Sequence, residues 1–139
     1  MTTIEVKAWL SRAQKLKKEK AVLEEIRRET FERLTSTTGR TDGITVSSSS
    51  DPVKADALVI LNDEVREKIE AIDRVTLEIF EAISALDNED YRTILYSKYL
   101  QRKSWTEIAE AIHYHKRTAE RMHGAALLAI EPIISKKSF

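Results

Sequence analysis

The sequence contains no cysteine, which excludes disulfides, thiolate metal sites and a cysteine nucleophile and leaves the redox compartment open. Glycine occurs three times and proline twice in 139 residues, and aromatic residues make up only 6%. A sandwich or barrel needs turns at short intervals, and so few breakers cannot supply them; an all-α fold is expected. Long hydrophobic runs are missing too. The longest, Ala57 to Leu61 and Ala125 to Ile130, fall far short of the ~20 residues that cross a bilayer. The N-terminus lacks the apolar stretch of a signal peptide. The expectation is a soluble, cytoplasmic protein with no membrane partner. What the chain has in quantity is charge, at 33%, beside 42% apolar residues. That is enough for a core within a well-solvated surface, and the length suits one domain or one small domain with an appendage.

The net charge of zero hides a pattern. Residues 1–52 carry ten Lys/Arg and eight Asp/Glu, residues 53–90 carry four and eleven, and residues 91–139 carry nine and four. The thirds therefore stand at +2, −7 and +5. A basic C-terminal third behind an acidic segment fits a protein of which one part meets nucleic acid. A helical protein with uneven solvated faces gives the same tally.

Apolar residues at Trp9, Ala13, Leu16, Leu23, Ile26 and Leu34 are spaced as one stripe of a helix from Thr3 to about Leu34, with Thr3 as its cap. A second helix is expected over roughly Val53 to Leu86, started by Asp51-Pro52. Leu58, Leu61, Val65, Ile69, Ile72, Val75, Ile79, Ile83 and Leu86 form its seam. Between them, residues 35–50 are small, polar and aperiodic, and read as a flexible connector. The two stripes must be buried, either against each other as a long, coiled-coil-like helical hairpin over residues 1–86 or against a second copy as a homo-oligomer.

The pattern changes at Asp87. Asp87 to Asp90 can cap a new helix whose buried face holds Tyr91, Ile94, Leu95 and Tyr99. Gln101-Arg102-Lys103 interrupts it. Ser104, followed by Glu107, has the form of a capping box, and opens a short helix with Trp105, Ile108, Ala109 and Ile112 inside. His113-Tyr114-His115 makes a turn, and a longer helix runs from Lys116 to about Ile130. Ala119, Met122 and Ala126 face inward on it, with Lys116, Arg117, Glu120 and Arg121 outward. A short helix, a three-residue turn and a longer helix with a basic outer face make a helix-turn-helix over residues 87–139. Ala109 is small where the helices would cross, Ile108, Ile112, Tyr114, Ala119 and Met122 would fill the wedge, and His113 falls where a positive φ is usual.

These residues resemble region 4 of bacterial sigma factors over Leu86 to Ile130. Asp-Tyr-Arg-x-Ile-Leu-x-x-x-Tyr is similar to the helix before that motif, and Ser104 to Glu110 is similar to its Ser-aromatic-x-Glu-Ile-Ala-Glu opening. The layout as a whole resembles small phage regulators of the ArpU-like late-gene activator type. The resemblance implies promoter DNA as partner, read by Lys116, Arg117, Glu120 and Arg121, with His115 and Thr118 at phosphates. Lys and Arg suit guanine O6/N7, and Glu can accept from cytosine N4. Arg102 and Lys103 are candidate phosphate contacts beside them. Host bacterial RNA polymerase is a candidate second partner. The sequence departs from the resemblance at His113, where Gly is preferred, at Gly124 inside the second helix, and in the apolar tail Ala125 to Ile130.

His113, His115 and His123 do not have metal-ligand spacing, and no phosphate loop, Gly-x-Ser-x-Gly elbow or His-Glu-x-x-His occurs. No enzyme, metal or cofactor is expected. The function expected is sequence-specific transcriptional regulation of phage or prophage genes. The alternatives are a packaging or assembly protein of the small-terminase type, and a helical adaptor that docks RNA polymerase without binding DNA.

Overall fold

The computed structural model describes residues 1–39 and 52–137, and they are all-helical. The first segment is two helices, not one: α1 covers Thr3–Leu10 and α2 covers Arg12–Gly39. The cap is Thr2 rather than Thr3, its hydroxyl accepting the Glu5 N–H at 3.2 Å. α2 runs into the expected connector, so residues 35–39 are helical. Ser and Thr cost a helix only about 0.5 kcal/mol each, which an already nucleated helix carries. Residues 40–51, with the rest of the connector and the expected cap Asp51, lie outside the described residues.

α3 covers Pro52–Ser84 and starts on a proline, whose missing N–H costs nothing in a first turn. α4, Glu89–Leu95, is capped by Asn88, which accepts the Tyr91 N–H at 3.1 Å, and continues as a π turn over Tyr96–Leu100. α5 covers Trp105–Ile112 and α6 covers Lys116–Lys137. α6 therefore outlasts its expected end at Ile130 and includes Pro132. That proline removes the hydrogen bond to the Leu128 carbonyl, at a residue 70% exposed, where water can replace the lost donor.

The chain divides into two compact units, Met1–Lys15 with Asp73–Phe139, and Leu16–Ile72. In the first, Val6 and Leu10 of α1 and Ala13 of α2 share a buried cluster with Ile79 and Ile83 of α3 and with Leu127, Ile130 and Ile134 of α6. Helical spacing alone places Trp9 and Ala13 on the buried stripe here. Ala13 is fully buried as expected, but Trp9 is only partly buried, and Val6 and Leu10, each within 1% of complete burial, take its place. The core that carries residues 87–137 thus includes the first helix of the chain, which the sequence pattern assigns to the hairpin.

In the second unit Lys68 Nζ meets the Glu19 carboxylate at 2.6 Å, and Arg27 donates to Asn62 Oδ1 at 3.1 Å. Advancing along α2 retreats along α3, so the two segments are antiparallel. Glu19 raises the Lys68 pKa above its ordinary value, first through the hydrogen bond and then through its charge. Val65 and Ile72 are the buried apolar side chains among the described residues of this unit. Ile26 and Ile69, expected in the seam, are each 41% exposed, because one facing helix covers a narrower stripe than two would.

Candidate nucleic-acid interface

Local sequence signals build this region. The Ser104 hydroxyl accepts the Glu107 N–H at 3.2 Å and donates to the Glu107 carboxylate at 3.1 Å, which fixes the start of α5. Its end is a left-handed residue, His113, at φ 62° and ψ 40°. The His113 N–H bonds to the Glu110 carbonyl and the Tyr114 N–H to the Ala109 carbonyl, the pair of bonds that defines a Schellman closure. Histidine holds a conformation in which glycine has no steric penalty.

The inner faces of α5 and α6 meet over Ile94, Ile108, Ala109, Ile112 and Ala119, with Trp105 and Met122 partly buried against them. Tyr114 was expected in this wedge and lies 46% exposed outside it, because the left-handed turn carries the chain away from the crossing. Packing on the inner side leaves the other side of α6 to solvent. His115, Lys116, Arg117, Glu120 and Arg121 are exposed and Thr118 is half-buried. Positions 116, 117, 120 and 121 fall on one helical face. Among the described residues, none of Lys116, Arg117 and Arg121 has a carboxylate within ion-pair distance, and the first turn of α6 contains no acid. Cations at a helix N-terminus oppose its dipole, typically by 0.3–1 kcal/mol each. The helix therefore holds its positive charges where they weaken it and where an anion would be bound most strongly.

Arg102 and Lys103 lie in the loop between the π turn and α5. Arg102 is left-handed at φ 56°, and the Lys103 N–H bonds back to the Ser97 carbonyl at 2.9 Å. The three histidines separate: His113 and His115 are exposed and His123 is buried. Among the described residues no three His, Cys, Asp or Glu side chains converge to hold a metal.

Sequence reasoning missed the polar group beneath this face. Tyr99 Oη and His123 Nε2 are 2.7 Å apart and buried, with the edge of the Trp105 ring against the imidazole. Burial pushes the Tyr99 phenol up to about 12, and burial, reinforced by Lys7 and Lys98, pushes His123 down to about 4. Both groups are neutral at pH 7 and share one hydrogen bond, whose donor is set by the imidazole tautomer. The signal was present in the sequence: His123 sits four residues after Ala119 and four before Leu127, on the inward stripe of α6.

An unfolded histidine titrates near 6.5. Between pH 6.5 and 4 the unfolded chain gains a proton at His123 that the folded chain does not. This contribution to stability is complete above about pH 6.5 and is lost as pH falls toward 4. The full difference corresponds to roughly 3 kcal/mol, reduced to about 1–2 kcal/mol because the residue keeps 9% of its surface in solvent. Urea titrations at pH 7.5 and pH 5 should show the loss, and His123→Phe should remove about 1 kcal/mol of it. A variant with an unchanged pH dependence would show that His123 takes up its proton equally in the folded and the unfolded chain.

No protein-family model matches this chain, and no curated protein or solved structure matches it either. The functional reading rests on the residues and their geometry.

Proposed function

We propose that this protein is a sequence-specific DNA-binding regulator of phage or prophage transcription, acting on late genes. In this reading a long helical hairpin carries a C-terminal helix-turn-helix similar to sigma region 4. Lys116, Arg117, Glu120 and Arg121 read bases in the major groove, His115, Thr118, Arg102 and Lys103 hold phosphates, and host RNA polymerase is a second partner. The supporting observation is the unpaired, exposed cationic face at the start of α6, backed by a tight inner core and reached through a left-handed turn. A solvated surface helix gains by placing acids in its first turn; this one has none. Val22, Ile26, Phe31, Val59, Ile60 and Ile69, all exposed in the unit Leu16–Ile72, support self-association through the long helices.

The test is a titration with DNA from upstream of the protein's own gene and with a scrambled duplex, at two salt concentrations. Arg121→Ala should cost about 1–3 kcal/mol on the first and relax its preference. Equal losses on both would reduce the face to a non-specific electrostatic contact and favour the packaging alternative. Binding to RNA polymerase without binding to either duplex would favour the adaptor.

A further inference from the structure

The strongest unassigned feature is a pair of adjoining hollows below α6. They share Ser11, Lys98 and Tyr99. The larger, about 470 Å³, is completed by Lys7, Trp105, Glu120 and His123, and the smaller, about 320 Å³, by Gln14, Arg102 and Lys103. Four cations thus line the cleft made by the two adjoining hollows, against a single carboxylate, Glu120. Among the described residues, none of Lys7, Lys98, Arg102 and Lys103 has an ion-pair partner.

The cations come from three places in the chain and are held there. Lys98 lies over the Trp105 ring, 5.1 Å from its centroid. Gln14 donates to the Lys98 and Tyr99 carbonyls, both at 2.9 Å, and so fastens the π turn to the first turn of α2. The left-handed backbone at Arg102 and the Lys103–Ser97 bond set the loop that carries Arg102 and Lys103, and Lys7 stands exposed on α1. The Tyr99 hydroxyl is used by His123 and the Gln14 amide by the two carbonyls, and the donors left include the Ser11 hydroxyl and the four cations. Burial and the fields of Lys7 and Lys98 keep His123 uncharged beneath them.

We infer that this cleft is a phosphate-binding site formed by Lys7, Ser11, Lys98, Arg102 and Lys103, and that it seats a backbone phosphate of the DNA read by α6. The source of the phosphate rests on the proposed DNA-binding function; the site's chemistry does not. The Lys7, Lys98 and Lys103 ammonium groups are point charges and the Arg102 guanidinium is a planar fork, and both kinds of donor bind phosphate oxygens. Glu120 belongs both to the cleft wall and to the outer face of α6, so a ligand here lies beside the reading helix, where backbone phosphates flank a groove. Lys7 brings the chain's first helix into the interface, a role that no motif in the sequence announces.

The test uses the full chain and a Lys7→Gln, Lys98→Gln double variant, with Lys7→Gln alone as the milder change because Lys7 is exposed and packs in neither core. On both duplexes the salt dependence of log K should fall by about one unit for each phosphate no longer neutralised, with sequence preference kept. An unchanged slope in both variants, with wild-type DNA binding intact, overturns the inference while leaving the recognition face standing. If the wild type binds neither duplex, the DNA reading fails, and inorganic pyrophosphate decides the site. A saturable shift of the His123 imidazole signal in the wild type, absent in Lys7→Gln, establishes a site for free phosphates; no shift in the wild type overturns it.

Discussion

Truncating Leu10 to alanine should destabilise the protein by about 2–5 kcal/mol, the range for a fully buried leucine whose cavity cannot collapse. Leu10 is completely buried, in one cluster with Ile79, Ile83, Leu127 and Ile130. The same truncation at Ile26, 41% exposed, should cost less than about 1 kcal/mol. Denaturant midpoints with an unchanged slope would measure both. If the two losses were equal, α1 would not belong to the core that supports α4, α5 and α6. If they differ as expected, a fragment beginning at residue 87 lacks part of its own core, and the candidate DNA-binding module cannot be cut out at that boundary.

The sequence was most legible where the signals are local. Ser104 and Glu107 mark a helix start, and the end at His113 follows from a chain that needs a left-handed residue in a short turn. Because the apolar positions of α5 and α6 are spaced for one inner face, the outward placement of Lys116, Arg117, Glu120 and Arg121 was legible too. What stayed hidden depends on partners distant in the chain. Val6 and Leu10 have helical spacing in the sequence with Ala13, which was legible as buried, but the large Trp9 ring points to a different stripe. Trp9 instead lies half-buried beneath the Arg12 guanidinium, 4.3 Å from its ring. Arg102 and Lys103 were legible as candidate phosphate contacts, but the other two cleft cations were hidden for the same reason. Lys7 and Lys98 are ninety-one positions apart, and only the packing of α1 and the π turn brings them to one hollow. The π turn itself has no composition signal, since Tyr-Ser-Lys-Tyr-Leu reads as ordinary helix.

Replacing Ile72 with aspartate should cost about 2–4 kcal/mol, since it puts a carboxylate into a site only 8% exposed. Ile69, one turn earlier on α3 and 41% exposed, is the control: Ile69→Asp should stay within about 1 kcal/mol of wild type. Both isoleucines belong to the same stripe by spacing, so hydropathy alone predicts equal damage, and only the narrow overlap of two helices separates them. The sign of the pH dependence gives a second check. A carboxylate in a dry seam has its pKa raised, because burial disfavours the charged form, so the penalty of Ile72→Asp should shrink as the acid protonates on acidification. The penalty of Ile69→Asp should not. Thermal midpoints followed by circular dichroism at pH 7.5 and pH 5 would read both effects. Equal midpoints for the two variants at pH 7.5 would mean that α3 turns no dry face toward α2, and the exposed Val22, Ile26, Val59 and Ile60 would then belong to an interface that both helices share with another chain.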